Sequence, residues 1–219
     1  MQLDVYTQND AMEKAVLART SNEKFIVCGS VDSQEYLAEQ LEIDDSPTEV
    51  IIKKSKNISP LEWFLKKRAE FENDWSINLT ENEGAWPDEI SAEQSFALTN
   101  KKISGKAHKE LLTSSLTVTD SWEIMAHFQY GGYNDCPFPE EHCAVWKYWQ
   151  EKYDAHIIGI SHDVVEAFVG RPPATQKGAM ELAWEQYLYS YHIVHQGTET
   201  ISNLAASILH HPFWYFWWD

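Results

Sequence analysis

The chain has 219 residues, of which 43% are hydrophobic, and its formal net charge is −17 at pH 7. This length and composition are typical of a globular protein with one large domain or two small ones, and they exclude a disordered chain. No apolar run approaches the roughly 18 residues that cross a bilayer. Because so acidic a surface repels phosphate groups, we expect binding neither to nucleic acid nor to a membrane.

Cysteine usage favours a cytoplasmic protein. Cys28, Cys136 and Cys143 are few and odd in number, which is typical of free thiols in a reducing compartment. The first ten residues, MQLDVYTQND, have neither the basic nor the apolar part of a secretory signal. We therefore expect a cytoplasmic location.

Helix and strand patterns alternate in the first part of the chain. Helical periodicity covers residues 9–19, 32–41 and 59–71. The last of these begins with Ser59 as N-cap and Pro60 at the first helical position. Short apolar runs predict strands over residues 24–30, 48–55 and 94–100.

An acidic segment without Lys or Arg runs from residue 69 to residue 100 and contains two tryptophans. Protein interfaces favour such aromatic anchors within a surface of complementary charge. The residues that we assign to a partner-binding surface are Glu70, Glu72, Asp74, Trp75, Glu81, Glu83 and Trp86. The alternative is a solvated loop whose tryptophans are buried in the core.

The second part of the chain continues the alternation. Apolar runs predict a strand that leads into a Gly-Gly turn over residues 121–132, and strands over residues 155–161 and 164–170. Helical periodicity predicts helices over residues 138–153 and 176–194, and a turn followed by a helix over 196–209.

The chain closes on FWYFWW, residues 213–218. Alternate side chains of a strand point to opposite faces, and here both faces are apolar. We therefore predict an interior strand, covered on both sides. The predicted fold class is α/β or α+β, a layered mixed sheet with flanking helices and this aromatic C-terminal strand buried in the sheet.

Basic residues, histidine and tryptophan are unevenly distributed. Residues 1–120 contain 13 Lys and Arg but one His, whereas residues 121–219 contain 4 Lys and Arg, 8 of the 9 His and 7 of the 10 Trp. This change in composition predicts an N-terminal α/β region over 1–120 and a C-terminal domain over 121–219.

Several sequence blocks in the C-terminal part carry a family resemblance: GGYNDCPFPEEH, VWKYWQEKYDAHIIGISHDVVEAFVGRPPAT, ELAWEQYLYSY, HQGTETISNLAASIL and WYFWWD. From about residue 127 onward the chain resembles a bacterial family known as domain of unknown function 4253. The resemblance implies a domain but no activity. Members tend to have Cys, a small residue or Pro, and Asp where this chain has Ser190, Tyr191 and His192. A catalytic Cys or Asp at this place would therefore be absent here, or its role would pass to His192.

The catalytic candidates are one cysteine and several histidines. Cys136 precedes a predicted helix, whose positive end favours a thiolate, and the possible bases are His127, His142, His192 and His195. The alternative is a buried thiol and histidines that bond to helix-end carbonyls. Cys136, His142 and Cys143 do not form paired zinc-ligand motifs, and phosphate-loop and hydrolase motifs are lacking, so we expect neither metal nor cofactor.

Two loops are candidate ligand sites, because glycine allows close approach of the main chain and loops commonly carry binding residues. The first loop contributes Gly131, Gly132, Tyr133, Asn134 and Asp135. The second contributes Arg171, which we expect to pair with a ligand anion, with Asp219 or within a structural ion pair.

Three functions are compatible with these patterns. The leading hypothesis is a protein-binding module of the immunity or antitoxin type, which neutralises a basic partner such as a toxin domain. The second is a hydrolase-like enzyme that uses the GGYNDCP and GRPP loops with His192. The third is a regulatory or structural interaction domain.

Overall fold

The computed structural model of the protein describes residues 2–40, 46–73, 79, 81–88, 96–100 and 105–218. The strands in these ranges are β1 Asp4–Tyr6, β2 Glu23–Ser30, β3 Leu111–Thr117, β4 Ala155–Ile160, β5 Val164–Val169 and β6 Phe213–Trp217. They form one sheet in the order β1-β3-β2-β4-β5-β6. All neighbours are antiparallel except β2 and β4, which are parallel and pair through Val27 and Gly159.

The α-helices of the described residues are α1 Ala11–Ala18, α2 Gln34–Gln40, α3 Thr48–Ser55, α4 Pro60–Asn73, α5 Ile124–His127, α6 Pro139–Tyr153, α7 Gln176–Tyr189 and α8 Ile201–Ile208. Side-chain caps begin three of them: the Thr175 hydroxyl accepts from Gly178 N–H at 3.1 Å, the Thr200 hydroxyl accepts from Asn203 N–H at 3.1 Å, and the Ser59 hydroxyl accepts from Glu62 N–H at 3.5 Å, as predicted. None of these helices is long and apolar enough to span a membrane.

Each face of the sheet buries its own core. Helices α2 to α8 contribute to the larger core, whose centre is aromatic and includes Trp146, Trp149 and Phe216. Helix α1 and the turn at residues 96–98 cover the other face. Because strands β2, β4 and β5 are covered on both sides, their residues are buried almost throughout.

The mixed sheet, the α/β class and a C-terminal strand at residues 213–217 are confirmed. The position of that strand is different from the prediction. β6 lies at the edge of the sheet, with Trp214 and Phe216 buried in the larger core and Tyr215 41% exposed on the opposite face. An interior position is therefore wrong, although burial of one aromatic face stabilises the strand.

Residues 48–55 form helix α3, so the strand predicted there is wrong. Ile51 is fully buried, whereas Val50 is 41% exposed, as expected for one face of a helix. Glu49 in the first turn and Lys54 in the last turn complement the helix dipole. The β-branched run is typical of a strand, but packing against α6 selects the helix.

The strand predicted over residues 121–132 is also wrong. A 3-10 turn, Ser121–Glu123, continues into α5. Residues 124–126 are all fully buried and apolar, so the sequence here lacks the alternation of apolar and polar faces that indicates a surface helix. The signal that we missed is a capping box, in which the Glu123 carboxylate accepts from Asp120 N–H at 3.2 Å.

The third wrong strand is the one over residues 94–100. Its described part, residues 96–100, is a turn with an isolated bridge from Asn100 to Ala107. Its main chain bonds to a buried acid and not to a strand: Ala97 N–H donates to the Glu166 carboxylate at 2.6 Å.

Candidate functional site

The GGYNDCP loop folds against a buried histidine. Gly131 has φ of +105°, and a Cβ built on it would lie 1.9 Å from the Pro137 carbonyl oxygen and 2.7 Å from the His142 ring. Gly132 has φ of +80° and donates its N–H to the same carbonyl at 2.9 Å. Because only glycine fits such positions without strain, both glycines serve the packing of the loop.

The polar side chains of the loop are engaged within the protein. The Tyr133 hydroxyl donates to the His162 carbonyl at 2.8 Å. The Asp135 carboxylate accepts from the Tyr191 hydroxyl at 2.8 Å. Asn134 is exposed at the turn of the loop, with φ of +44°.

His142 is the centre of a buried polar network. Its Nδ1 lies 2.5 Å from the Tyr189 hydroxyl, which also accepts from Trp146 Nε1 at 2.7 Å. Its Nε2 lies 3.3 Å from Cys136 Sγ. Burial lowers the pKa of His142 to about 3, so its imidazole is neutral at neutral pH.

The contact between Cys136 and His142 does not favour nucleophilic catalysis. Burial raises the pKa of the Cys136 thiol well above its ordinary value, whereas a nucleophilic cysteine needs a lowered pKa. The histidine in contact with it is His142, one of the four possible bases expected from the sequence. The arrangement is that of a packed, neutral pair.

His192 and His195 follow helix α7, and the structure separates their surroundings. His192 is buried, stacked on Tyr191 with ring centroids 4.1 Å apart and edge-on to Trp217 at 5.5 Å. His195 lies in a π-helical turn, with Nε2 3.0 Å from the Tyr187 hydroxyl, and burial lowers its pKa.

Arg171 caps the C-terminal end of helix α6. Its guanidinium donates to the Glu151 carbonyl at 2.6 Å, and its main-chain N–H donates to the Tyr153 carbonyl at 2.8 Å. These carbonyls belong to the last turn of α6, where a cation is favourable. Asp219, the other predicted partner, lies outside the described residues.

The acidic residues of helix α4 lie beside cations of the same helix. Glu70 is 3.7 Å from Lys66 and 3.0 Å from Lys67, and Glu72 is 3.2 Å from Arg68. These are exposed pairs, which contribute about 0.3–0.5 kcal/mol each. Asp74 and Trp75 lie outside the described residues.

The described stretch 81–88 is attached to helix α8. Its carbonyls at Asn82 and Glu83 accept from the N–H groups of Ile201 and Ser202 at 2.9 and 2.8 Å. The side chains of Glu81 and Glu83 are exposed, whereas Trp86 is partly buried against the larger core. The helix start therefore fixes the main chain from which these acids project.

A cavity of about 310 Å³ follows the free edge of β6, and we call it the β6 cavity. It lies between β6, the connection at residues 192–198 and helix α8. Its aromatic walls are formed by Phe96, Phe213, Trp214, Tyr215 and Trp217, and its other lining residues are Glu166, Gln186, His192, Ile193, Gln196, Gly197, Thr198, Leu204, Ser207, Ile208 and His211. Of the predicted catalytic candidates, His192 lies here.

Three polar side-chain atoms of the cavity lining are buried without a hydrogen-bond partner among the described residues. They are Glu166 Oε2, Gln186 Nε2 and Trp214 Nε1. These side chains are 3%, 1% and 3% exposed. Glu166 and Trp214 lie on opposite faces of the sheet, so the cavity reaches around its edge. Buried polar atoms are nearly always hydrogen-bonded, so three such exceptions among the residues that line one cavity are unusual.

Glu166 gives the cavity a protonated acid. One carboxyl oxygen accepts from Ala97 N–H at 2.6 Å. Burial raises the pKa of Glu166 to about 8, and the main-chain hydrogen bonds from residues 97 and 98 lower it only in part. At neutral pH the second oxygen, Oε2, can thus carry the proton and donate a hydrogen bond.

The sequence analysis missed Glu166 and Gln186. A signal for Glu166 was available, since VVEAFV places a single acid within an otherwise apolar strand, and Glu is almost never buried without a reason. Gln186 had no such signal, because one polar residue in a long helix is ordinarily on its solvent face.

No match to the chain was found among the curated proteins or among solved structures. A family model does match its C-terminal part, which includes strands β4 to β6, helices α5 to α8 and all of the β6 cavity lining except Phe96. The match begins 13 residues before the start expected from the sequence, inside β3. The expected resemblance is therefore confirmed: residues 114–219 match the family described as a domain of unknown function, DUF4253.

Proposed function

We propose that the protein binds a small, uncharged organic ligand in the β6 cavity. The observation that carries this proposal is a set of three buried polar atoms, on Glu166, Gln186 and Trp214, that line one cavity and have no hydrogen-bond partner in the part of the chain that the structure describes. Small-molecule sites are commonly concave, with apolar walls and a few polar groups that orient the ligand.

The energetics of the site favour this function over a purely structural one. A buried polar atom without a partner costs about 1–3 kcal/mol, and a bound ligand with matching groups removes that cost. An uncharged ligand suits the aromatic walls, because an unpaired charge is expensive to bury. A cavity that holds only ordered water is the alternative, and it would show no selectivity among organic compounds.

A fragment library, screened by thermal shift and ligand-observed NMR, tests the proposal. We expect uncharged aromatic compounds to raise the melting temperature, and at equal concentration the compounds that bind more tightly should raise it more. The binding of each hit is then compared between Trp214→Phe and Trp218→Phe. Both substitutions remove a buried indole N–H that has no hydrogen-bond partner among the residues described, but of the two side chains Trp214 lines the cavity and Trp218 does not.

Trp214→Phe should weaken binding of the hits about five- to tenfold, as the loss of one hydrogen bond does. Trp218→Phe should leave the affinity unchanged. A library without hits, or equal effects of the two substitutions, would contradict a ligand site at the β6 cavity.

A second candidate function is the neutralisation of a basic protein partner, as expected from the net charge of −17. The specific observation in its favour is the attachment of residues 81–88 to α8, which presents Glu81 and Glu83 on an ordered main chain beside Trp86. Complementary charge of this kind speeds association and selects partners. A cytoplasmic location belongs to this proposal, in keeping with the free, buried cysteines.

A pull-down from the source cells, followed by Trp86→Ala, tests the second candidate. If Trp86 is an anchor, the substitution should weaken partner binding by about 2 kcal/mol. Charge reversal at Glu83 should slow association and flatten its salt dependence. A lower melting temperature with unchanged binding by the folded fraction would assign Trp86 to the core instead.

A further inference from the structure

We infer that the β6 cavity recognises a single amide edge of its ligand, an N–H and a C=O side by side as in a lactam or a primary carboxamide, through the main chain of Tyr215. This inference rests on the proposed function and specifies the chemistry of the ligand. It comes from the main-chain hydrogen bonds of the edge strand, which are independent of the side chains that line the cavity.

The hydrogen bonds between β5 and β6 show which main-chain groups of β6 point outward. Trp218 N–H donates to the Asp163 carbonyl at 3.0 Å, and Val169 N–H donates to the Pro212 carbonyl at 2.7 Å. In an antiparallel strand pair, residues whose main-chain N–H and C=O bond to the neighbouring strand alternate with residues whose N–H and C=O point away from it. The even-numbered positions of β6 therefore face β5, and the odd-numbered positions face away from it.

Two of the three outward-facing positions already have partners. The Trp217 carbonyl accepts from the Ser190 hydroxyl at 2.8 Å. At Phe213, His211 Nδ1 lies 3.0 Å from the carbonyl oxygen and 3.4 Å from the main-chain nitrogen. Tyr215 lies between these positions and lines the cavity. One residue of the edge thus presents its N–H and C=O to the space of the cavity.

Because a single residue of the β6 edge offers its main-chain N–H and C=O, the site favours a ligand with one compact amide over a peptide that adds a strand to the sheet. A peptide that extends the sheet forms bonds at every second residue, and the next outward positions on either side of Tyr215 are occupied. A lactam or primary carboxamide presents one donor and one acceptor on the same side, which matches this pair. The aromatic walls and the volume of about 310 Å³ suit a flat ring system around that amide.

The test uses the full-length protein and two probes that differ in one group, 2-quinolone and N-methyl-2-quinolone. Both are flat and uncharged, but the second lacks the N–H. We expect 2-quinolone to bind about tenfold more tightly by calorimetry, since it makes one more hydrogen bond to a buried site. In protein labelled with ¹⁵N-tyrosine, 2-quinolone should move the amide proton of Tyr215 downfield, and the methylated probe should not.

Tyr215→Pro removes the outward N–H without removing a bond of the ladder, because proline is tolerated at outward positions of edge strands. It should reduce 2-quinolone binding, whereas Tyr215→Ala, which keeps the main chain, should retain the preference for 2-quinolone over its methylated form. If the proline variant does not fold, the NMR comparison on the unchanged protein decides.

Equal binding of the two probes, a Tyr215 amide that does not move, or no binding of either probe would overturn the inference. The proposed function is judged separately, by whether any library compound distinguishes Trp214→Phe from Trp218→Phe. A hit that binds through the side chains alone would therefore refute the amide edge and leave the ligand site in place.

Discussion

Gly131 shows that a conspicuous sequence motif, GGYNDCP, can be explained by the close packing of one of its residues. The close approach of its Cα to the Pro137 carbonyl and the His142 ring leaves no room for a Cβ. The Cys136 thiol and the neutral His142 imidazole lie in contact behind it. We interpret the GGYNDCP motif as a structural element that encloses the buried network.

Gly131→Ala should therefore destabilise the protein by about 3 kcal/mol or more, because the main chain is in the left-handed region and a backbone oxygen is in the way. The matched control is Gly197→Ala, since no atom of the described residues lies within 4 Å of a Cβ built there. Chemical denaturation of both variants measures the difference, and equal stability would refute the packing role of Gly131.

The burial of a single residue, Glu166, makes the stability of the folded protein depend on pH. Its pKa is raised to about 8 in the folded protein, whereas the ordinary value is 4.5. Between these values the folded state binds the proton more strongly than the unfolded state, so stability falls as pH rises from about 4.5 to about 8. This fall in stability with rising pH is typical of a buried acid, whereas a carboxylate in a salt bridge makes stability rise with pH.

Glu166→Gln should remove this dependence, because the amide stays neutral and its oxygen can still accept from Ala97 N–H. Relative to the unchanged protein, the variant should gain on the order of 3 kcal/mol between pH 5 and pH 9. Urea unfolding at both pH values measures the gain. Glu151→Gln, at an exposed position of α6, is the control, and the same pH profile in all three proteins would contradict a buried, protonated Glu166.

At the scale of elements, α3 illustrates how tertiary contacts override a local pattern. The sequence TEVIIKKS contains consecutive β-branched residues, yet one turn of helix places Ile51 on α6 and leaves Val50 exposed. In a strand, residues two apart share a face, so Lys53 would be buried together with Ile51 and Ser55, whereas Lys53 is exposed here.

Ile51→Ala should cost about 2–4 kcal/mol in unfolding free energy, as truncations of fully buried aliphatic residues do. Val50→Ala should change stability by less than about 1 kcal/mol, since its side chain is largely outside the core. Urea unfolding of the two variants gives the comparison. Similar losses at both positions would show that residue 50 also contributes to the core.

At the scale of the whole molecule, the two regions separated by composition share one sheet. β2 from the N-terminal region pairs with β4, and Trp63 Nε1 donates to the Glu141 carboxylate at 2.9 Å. Ala97 N–H supports Glu166, and the main chain at residues 82–83 accepts from the start of α8. These contacts fix parts of the family-matched region, residues 114–219, from outside it.

We expect the fragment 114–219, expressed alone, to be poorly folded or aggregated, because β4 would become an apolar edge strand without β2. Co-expression with residues 1–113 should restore a soluble complex. Size-exclusion chromatography and the dispersion of ¹H–¹⁵N spectra measure both outcomes. A monomeric fragment with a dispersed spectrum would show that the C-terminal region folds independently.

The sequence by itself determined the elements whose local signals agree with their surroundings. The capped helix α7, the amphipathic α6, and the apolar strands β4 and β5 were all predicted, because periodicity, capping and burial indicate the same structure. The aromatic tail was predicted as a strand for the same reason. The family blocks depend on these regular elements, which is why the resemblance could be recognised.

The tertiary structure alone decided the cavity and its chemistry. No local pattern places β6 at the edge of the sheet, since strand order depends on pairing between distant segments. The residues that line the cavity with Glu166, Trp214 and Tyr215 come from positions 96, 192–198 and 204–211, and the N–H that bonds to Glu166 comes from Ala97, so that only the folded chain brings them together. Burial, and not residue type, makes His142 neutral and Glu166 protonated, because the cost of a buried charge depends on its surroundings.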